Sequence, residues 1–379
     1  PGSGSGGKER DRKKRRKYNK TGQGAFRNMV LKKGMKIAGR VALGLAVAVY
    51  VLVAAANYSV VQSLAGAAAG SHFSRQWGGT VSVGSVSAMP WNHFTAHNLL
   101  LVSPEGDTIL KARTLRVRFH RFPFRRGDTG RGGNHSGGLE FDRVYLADAS
   151  YHLESYGHGD SLGRHGINLR YIIDHYRKDR PKKHRGRVFT VDVGTLTLRH
   201  VDYRMDLPDH RRHVYPHGVQ IPHMEYRDIC GKIKDIHVAN DEVDARFVRF
   251  SAEERSGFRV ENLKGRVHVG RTGITARGLH LRTPQSTVAA DAELRYGHWR
   301  EMKHYVHTVD HRVELHEGTS VAMADVAYWV PRLHGIDLQL AAVGSARGTV
   351  DSLQVDSLRV ESGGGTRVEV DGRVEGLPK

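Results

Sequence analysis

The sequence predicts a mainly β protein that follows one N-terminal transmembrane helix, and three observations predict it. A charge-free stretch from Val41 to Ser74 succeeds a strongly basic tail. From Thr80 onward apolar residues recur with a period of two, the pattern of strands with one apolar and one wet face. The chain also lacks the evenly spaced helical segments that would cover a parallel sheet on both sides.

The tail comes first. Residues 1–40 carry 14 Lys and Arg against Glu9 and Asp11, a net of +12, whereas the remaining 339 residues carry 45 against 37, a net of +8. More than half of the formal +20 therefore precedes the apolar run. Ile37 to Asn57, interrupted only by Arg40, supplies the ~20 residues that cross a hydrocarbon core. Val41, Leu43, Leu45, Val47, Val49, Val51, Leu52 and Val53 are its expected anchoring side chains. Basic flanks are retained on the cytoplasmic side. Residues 1–36 are accordingly expected as a cytoplasmic tail and 37–57 as a single inner-membrane span, with the bulk of the chain outside. A cleaved signal would use Ala54-Ala55-Ala56, but its apolar region is shorter, about 7–15 residues. A nucleic-acid arm would draw on Arg12, Lys13, Lys14, Arg15, Arg16, Lys17 and Lys20. Like charge beside a span reads more simply as a topogenic or headgroup-binding tail, so no nucleic acid is expected as a partner. Pro1 is not a start residue, and Met29 or Met35 could each open a shorter chain.

Tyr58, Val61, Leu64 and Ala65 recur at helical spacing, which predicts a membrane-proximal helix over 58–77. Strands follow. Val81, Val83 and Val86 begin the alternation, and Leu99, Leu101 and Ile109 continue it. Leu115, Val117 and Phe119 oppose Arg116, Arg118 and His120. Val191, Val193, Leu196 and Leu198 oppose Thr195, Thr197 and Arg199, and Leu279 and Leu281 alternate with His280 and Arg282. Leu353, Val355, Leu358 and Val360 precede Val368 and Val370. The parity changes between Val193 and Leu196, and between Val355 and Leu358, which requires a bulge or short turn. Only Ile167–Tyr176 and Ser320–Leu333 have a later helical pattern, the second through Val321, Met323, Val326, Trp329 and Val330, ended by Pro331. The segment 127–138 is a Gly-rich loop. A sheet of this extent without crossover helices must close as a barrel, pair as a sandwich, or curl around something apolar.

The order of these segments resembles the bacterial TamB family (translocation and assembly module subunit) of the wider AsmA-like group, over roughly residues 37–379. The resemblance is carried by the anchor and its following helix, by the opening strand Gly78-Gly79-Thr80-Val81-Ser82-Val83-Gly84-Ser85-Val86, and by Asn98-Leu99-Leu100-Leu101 with Gly106-Asp107-Thr108-Ile109-Leu110. It continues in Leu115 to Phe119, in Ser256-Gly257-Phe258-Arg259-Val260-Glu261-Asn262-Leu263-Lys264-Gly265, in Leu279-His280-Leu281-Arg282-Thr283-Pro284-Gln285-Ser286, and in the terminal Glu375-Gly376-Leu377-Pro378. The wording is most similar to the long Bacteroidetes-type members, whose C-terminal domain has no counterpart here. The resemblance implies an elongated curled β-sheet, a U-shaped β-groove with a few short helices, over residues 78–379 in the periplasm. It implies phospholipid acyl chains as cargo between the inner and outer membranes, and an outer-membrane β-barrel partner engaged through a further C-terminal part. Some fifteen strands at ~4.8 Å each would extend about 70 Å, one end of such a bridge. Leu115, Val117, Phe119, Val191, Val193, Leu196, Leu198, Leu279 and Leu281 are the expected lining. The alternative on the same fold is an assembly module whose sheet edges template outer-membrane strands. The many Arg and His on the strand rows favour lipid, because charge on an edge blocks strand addition.

Catalysis is not expected, nor is a cofactor. Gly159-Asp160-Ser161-Leu162-Gly163 has the spacing of a nucleophile elbow but no buried strand running into it. Gly132 to Gly138 lacks the Lys-Ser/Thr of a phosphate loop. No convergent carboxylate pair suited to glycan hydrolysis is visible, and Glu253-Glu254 reads as a solvated turn. Of 24 histidines, His210, His213 and His217 form the tightest group, but no helix holds them in register; His93, His97, His304 and His307 read as exposed. A single cysteine, Cys230, excludes a disulfide framework and a cysteine-based zinc site, and it reads as a buried or half-buried strand residue without an activating neighbour. No metal is expected.

Overall fold

A computed structural model of the chain describes residues 59–89, 92–120, 138–156, 167–168, 190–207, 218–239, 242–298, 301 and 304–376. The expected tail and span, with anchor residues Val41, Leu43, Leu45, Val47, Val49, Val51, Leu52 and Val53, lie outside the described residues, as do the segments 159–163 and 209–217. Among the described residues no helix is long and apolar enough to cross a membrane. The chain divides into two units, Pro1–Val61 and Gln62–Lys379, and every strand lies in the second.

The second unit is mainly β. Its strands are β1 (Thr80–Met89), β2 (His93–Val102), β3 (Thr108–Phe119), β4 (Gly138–Glu154), β5 (Thr190–Asp206), β6 (Glu225–Ala239), β7 (Glu242–Glu254), β8 (Arg259–Val260), β9 (Asn262–Gly270), β10 (Gly273–Arg282), β11 (Thr287–Arg295), β12 (Asp310–Leu315), β13 (Ser320–Ala322), β14 (Gln339–Thr349), β15 (Ser352–Ser362) and β16 (Arg367–Glu375). All sixteen belong to one curved sheet. Fourteen follow one another along it in chain order; β8 pairs only with β7, and β13 bridges β11 and β14. Neighbours are antiparallel except β4 and β5, which run parallel over their whole length. Among the described residues the helices are α1 (Ser59–Trp77), α2 (Tyr305–Thr308) and α3 (Met323–Val326).

The expected Ser320–Leu333 helix is corrected. Ser320–Ala322 joins the sheet, the helix is one turn, and a 3-10 turn follows at Pro331–Leu333. The reason is a buried polar clamp. Asp325 Oδ2 accepts from Thr283 Oγ1 at 2.5 Å and from Ser286 Oγ at 2.5 Å, while Ser286 Oγ accepts from the Ala322 amide at 2.9 Å. The clamp holds the segment to the end of β10 and β11. Of the expected Ile167–Tyr176 helix, only Ile167 and Asn168 are described: Ile167 bridges Ser155, and Asn168 Nδ2 donates to the His152 carbonyl at 2.8 Å.

The strands bend at bulges, and the bulges stand in rows. Asn98, Asp148, His200, Asp228, Asp235 and Ser357 all have φ between 49° and 53°. Asn98 lies beside Gly84 on β1, Asp148 beside His200, and Ser357 beside Gly344 and Asp371, as the flanking pairs require. A left-handed residue frees an amide from the ladder, and that amide needs another acceptor. The neighbouring strand supplies it. Asp228 N donates to Asp202 Oδ1 (3.1 Å), Gly278 N to Asp291 Oδ1 (2.6 Å), Ser357 N to Asp371 Oδ2 (3.3 Å), and His200 N to Cys230 Sγ (3.4 Å).

Helix α1 covers the free edge of β1. Gly66 and Gly70 sit so close that an added Cβ would lie 2.9 Å from the Val83 carbonyl oxygen and 2.5 Å from that of Val81. One turn on, Ser74 Oγ accepts from the Val81 amide at 2.7 Å. A small-residue stripe with a hydroxyl thus replaces the missing strand, one way in which sheet edges are protected.

Two outcomes follow. Gly70→Val lifts the helix from the edge, costing about 1–3 kcal/mol of overpacking strain, and hydrogen exchange at the Val81 amide accelerates. Gly344→Ala places a Cβ 2.5 Å from Leu358 Cα at φ +140°, so it costs about 3 kcal/mol or more. Gly363→Ala meets nothing within 4 Å and stays near neutral when the two alanine variants are compared by urea titration.

Candidate functional site

Residues directly opposite on neighbouring strands share a face, so the strand register decides which side chains meet. Seven of the nine expected lining residues meet in one patch. Phe94, Val117, Val144, Leu196, Ile233 and Phe247 stand opposite one another from β2 to β7. A second row runs Val86, Ala96, Leu115, Leu146, Leu198, Gly231 and Phe250. Phe119, Phe141, Val193 and Ile236 form a third, and Val191 joins Leu139, Val238 and Val243 in a fourth. Phe119 packs edge-on to Phe94 at 5.5 Å and against Phe141 at 5.0 Å.

Leu279 and Leu281 lie apart from this patch, on β10. Leu281 stands between Leu263 and Val288, and Leu279 opposes Ala290. They are nonetheless on the same face. The row Ala245, Val267, Ala276, Ala292, Val313, Ala346 and Val355 carries the apolar surface unbroken from β7 to β15.

All nine expected residues are half-buried. The fully buried cluster on this face is small: Ala112, Ala149, Val201, Ile229 and Ala252, flanked by Leu99, Leu146, Leu198, Tyr203, Tyr226 and Phe250. Among the described residues no second sheet or helix layer lies over the face; packing is between neighbouring strands and the short segments at their ends.

The opposite face is charged and paired. Arg246 Nη2 lies 2.6 Å from Asp235, His237 2.6 Å from Asp192, His268 3.0 Å from Asp244, and Arg282 3.0 Å from Glu261. These pairs are exposed and worth little individually. They make one face wet and leave the other to apolar contact.

Buried polar groups close the strand ends. Tyr151 and Tyr203 stack at 5.8 Å, in a row with Tyr226 and Glu254. Burial raises all three tyrosine pKa values, with neighbouring Tyr203 adding to Tyr151, and Glu254 and Tyr203 to Tyr226. The hydroxyls thus stay neutral. Glu254 is only 2 % exposed, which corrects its reading as a solvated turn residue. Its Oε2 accepts from the Ser256 amide at 2.6 Å and from the Ser256 hydroxyl, closing the turn that carries Gly257 (φ +99°) and Phe258. Phe258 then packs against Tyr328 and Trp329, both at 5.6 Å.

Asp206, at the end of β5, binds His152 at 3.1 Å, Arg204 at 2.6 Å and His223 at 3.1 Å. Burial alone would raise its pKa, but the hydrogen bonds from His223, Arg204 and His152 override it and hold the carboxyl well below the usual range. Sequence reasoning missed this group because its members lie on β4, β5 and the turn at Ile221–His223. It also missed Phe94, Phe141, Val144, Leu146 and Ile233. Strand β4 changes parity twice, between Phe141 and Val144 and between Leu146 and Ala149, which hides its alternation.

Cys230 is half-buried, as expected of a strand residue, but it has neighbours: His200 and Asp228 converge on it. His93 and His304 are exposed; His97 is half-buried, and His307 pairs with Asp351 at 2.7 Å.

Asp206→Asn removes charge-assisted bonds from a side chain only 16 % exposed and costs about 1–3 kcal/mol at neutral pH. A depressed folded pKa contributes stability that is complete above the unfolded carboxylate value, about 3.9, and fades as pH falls through the folded value. The gap between wild type and variant in urea melts should therefore hold from pH 7 to about pH 5 and narrow in acid below the unfolded value.

No protein-family model, curated protein or solved structure matches the chain, so the functional reading rests on the two unlike faces of this sheet.

Proposed function

We propose that the protein is an inner-membrane-anchored, TamB-like envelope protein whose β-sheet conducts phospholipid along its apolar face between membranes. The observation that carries the reading is the unbroken run of half-buried apolar side chains from β1 to β16, with no layer over it among the described residues. Such a face in water is costly unless something apolar occupies it. Side chains that are half-buried without a covering layer are those expected on the inside of a curve, which supports a U-shaped groove with this face inward.

The mechanism needs no catalytic residue. An acyl chain gains about 0.8 kcal/mol for each methylene taken out of water. The rows through Val117, Leu196, Leu198 and Phe119 replace one apolar contact with a like one at each 4.8 Å step between strands. A lipid tail can move along them without breaking a polar contact. Headgroups stay in water, beyond the rim. The basic tail and the segment 37–57 would hold one end at the inner membrane, N-terminus in the cytoplasm, with the sheet in the periplasm and the direction of net flow set by the lipid gradient. An outer-membrane β-barrel partner would receive the other end.

A photo-crosslinking residue placed at Leu198, and separately at Arg199, tests this in the native envelope. Leu198 is in the apolar row and Arg199 is exposed on the other face. Phospholipid adducts at position 198 and none at 199 are expected. Protein adducts at 198 without lipid would instead favour the assembly-module reading, in which the sheet handles outer-membrane strands.

A further inference from the structure

We infer that His200, Asp228 and Cys230 form a binding site for a single thiophilic divalent cation of the zinc class, on the face opposite the apolar one. Asp228 Oδ1 lies 2.5 Å from His200 Nδ1 and 3.9 Å from Cys230 Sγ, and one ligand atom from each residue lies within 4.8 Å of the others. A tetrahedral ion with bonds of about 2.0 Å to nitrogen and oxygen and 2.3 Å to sulfur holds such ligands about 3.3–3.5 Å apart. The thiol and carboxylate are already near that spacing. The His–Asp contact has to open by about 1 Å.

The bland alternative is one more surface His–Asp pair. Seven other such contacts occur among the described residues, through His120, His152, His223, His237, His268, His307 and His316. His200 differs from them in two ways. It belongs to the one group of three convergent donors among the described residues. It also sits at a bulge whose freed amide donates to sulfur at 3.4 Å, where the bulges at Asp228, Gly278 and Ser357 use an aspartate oxygen. The sulfur thus stands where the other bulges place a carboxylate oxygen, turned toward the same spot as His200 and Asp228.

The backbone pre-arranges the set. His200 and Asp228 both have φ near 50° and stand on the neighbouring strands β5 and β6, so their side chains and that of Cys230 converge on one spot. Asp202 stays outside the coordination set because its Oδ1 accepts the Asp228 amide, which anchors that ligand's backbone. His200 and Asp202 also line a cleft of about 750 Å³ with Asn98, Lys111, Arg113 and Asp148. Three protein ligands leave a fourth position open to water or to an anion entering from that cleft beside Lys111 and Arg113. A chain with one cysteine cannot build a multi-cysteine site, but it can build this mixed one.

Cys230 is the sole thiol, so its alkylation reports this site alone despite the 24 histidines. In the full-length chain, washed with chelator, Zn²⁺ is expected to slow iodoacetamide alkylation at least tenfold, and Cd²⁺ to produce an ultraviolet thiolate-to-metal band at one equivalent. His200→Asn and Asp228→Asn keep residue types that tolerate a left-handed backbone and are expected to abolish both effects. His237→Asn, which removes a similar His–Asp pair, is expected to keep both. The inference is overturned if Zn²⁺ leaves wild-type alkylation unchanged, or if it protects the His200 and Asp228 variants as well as the wild type.

Discussion

A pleated strand turns each successive side chain to the opposite face, so bending it with an extra residue would move its apolar set to the wrong side. The structure depends on how this conflict is resolved. Bulges bend the strands, and neighbouring strands bulge at matching heights. Ala96 and Leu99 flank Asn98, Leu146 and Ala149 flank Asp148, and Leu198 and Val201 flank His200, while their register still brings apolar to apolar. The face survives because the parity changes are shared. Isolated in one strand, any of them would turn a charged row inward.

Each bulge also creates a local electrostatic need. At His200, Asp228, Gly278 and Ser357 the freed amide takes an acceptor from the next strand, and at three of these four that acceptor is an aspartate. Much of the acid on the wet face is therefore structural. Its carboxylates bind freed amides or sit beside Arg and His, which keeps the dense charge of this face from repelling itself. The same requirement accounts for the position of Cys230, which does an aspartate's work with a sulfur.

The strand ends obey another rule. A sheet with one uncovered apolar face has little core to fasten its loops, and buried polar groups do so instead. Asp325 clamps Thr283 and Ser286, Glu254 closes the turn to Phe258, and Asp206 gathers two histidines and an arginine. Short-range motifs such as Thr283-Pro284-Gln285-Ser286 matter through these clamps rather than through any contact on the apolar face. At the edge of β1, α1 achieves closure through the close approach of Gly66 and Gly70 and the Ser74 hydroxyl.

The β class, the strands β1–β3, β5, β10, β15 and β16, and the helix over 59–77 were legible from the chain alone, because period two and period 3.6 are local properties. Leu115, Val117 and Phe119, or Leu279 and Leu281, declare their face within five residues. It also required a bulge between Val355 and Leu358, and Ser357 supplies it. Three things were decided only by tertiary structure. Strand β4 was hidden by two parity changes, and its parallel pairing with β5 joins segments that are far apart in the chain. The Ser320–Leu333 segment has a helical pattern, yet a clamp from Asp325 to residues about forty positions earlier overrides it. His200 and Cys230 are thirty residues apart and meet only because β5 and β6 pair in one register. Local alternation specifies a face; only long-range register specifies which residues share it, since a shift of one residue would exchange the whole set.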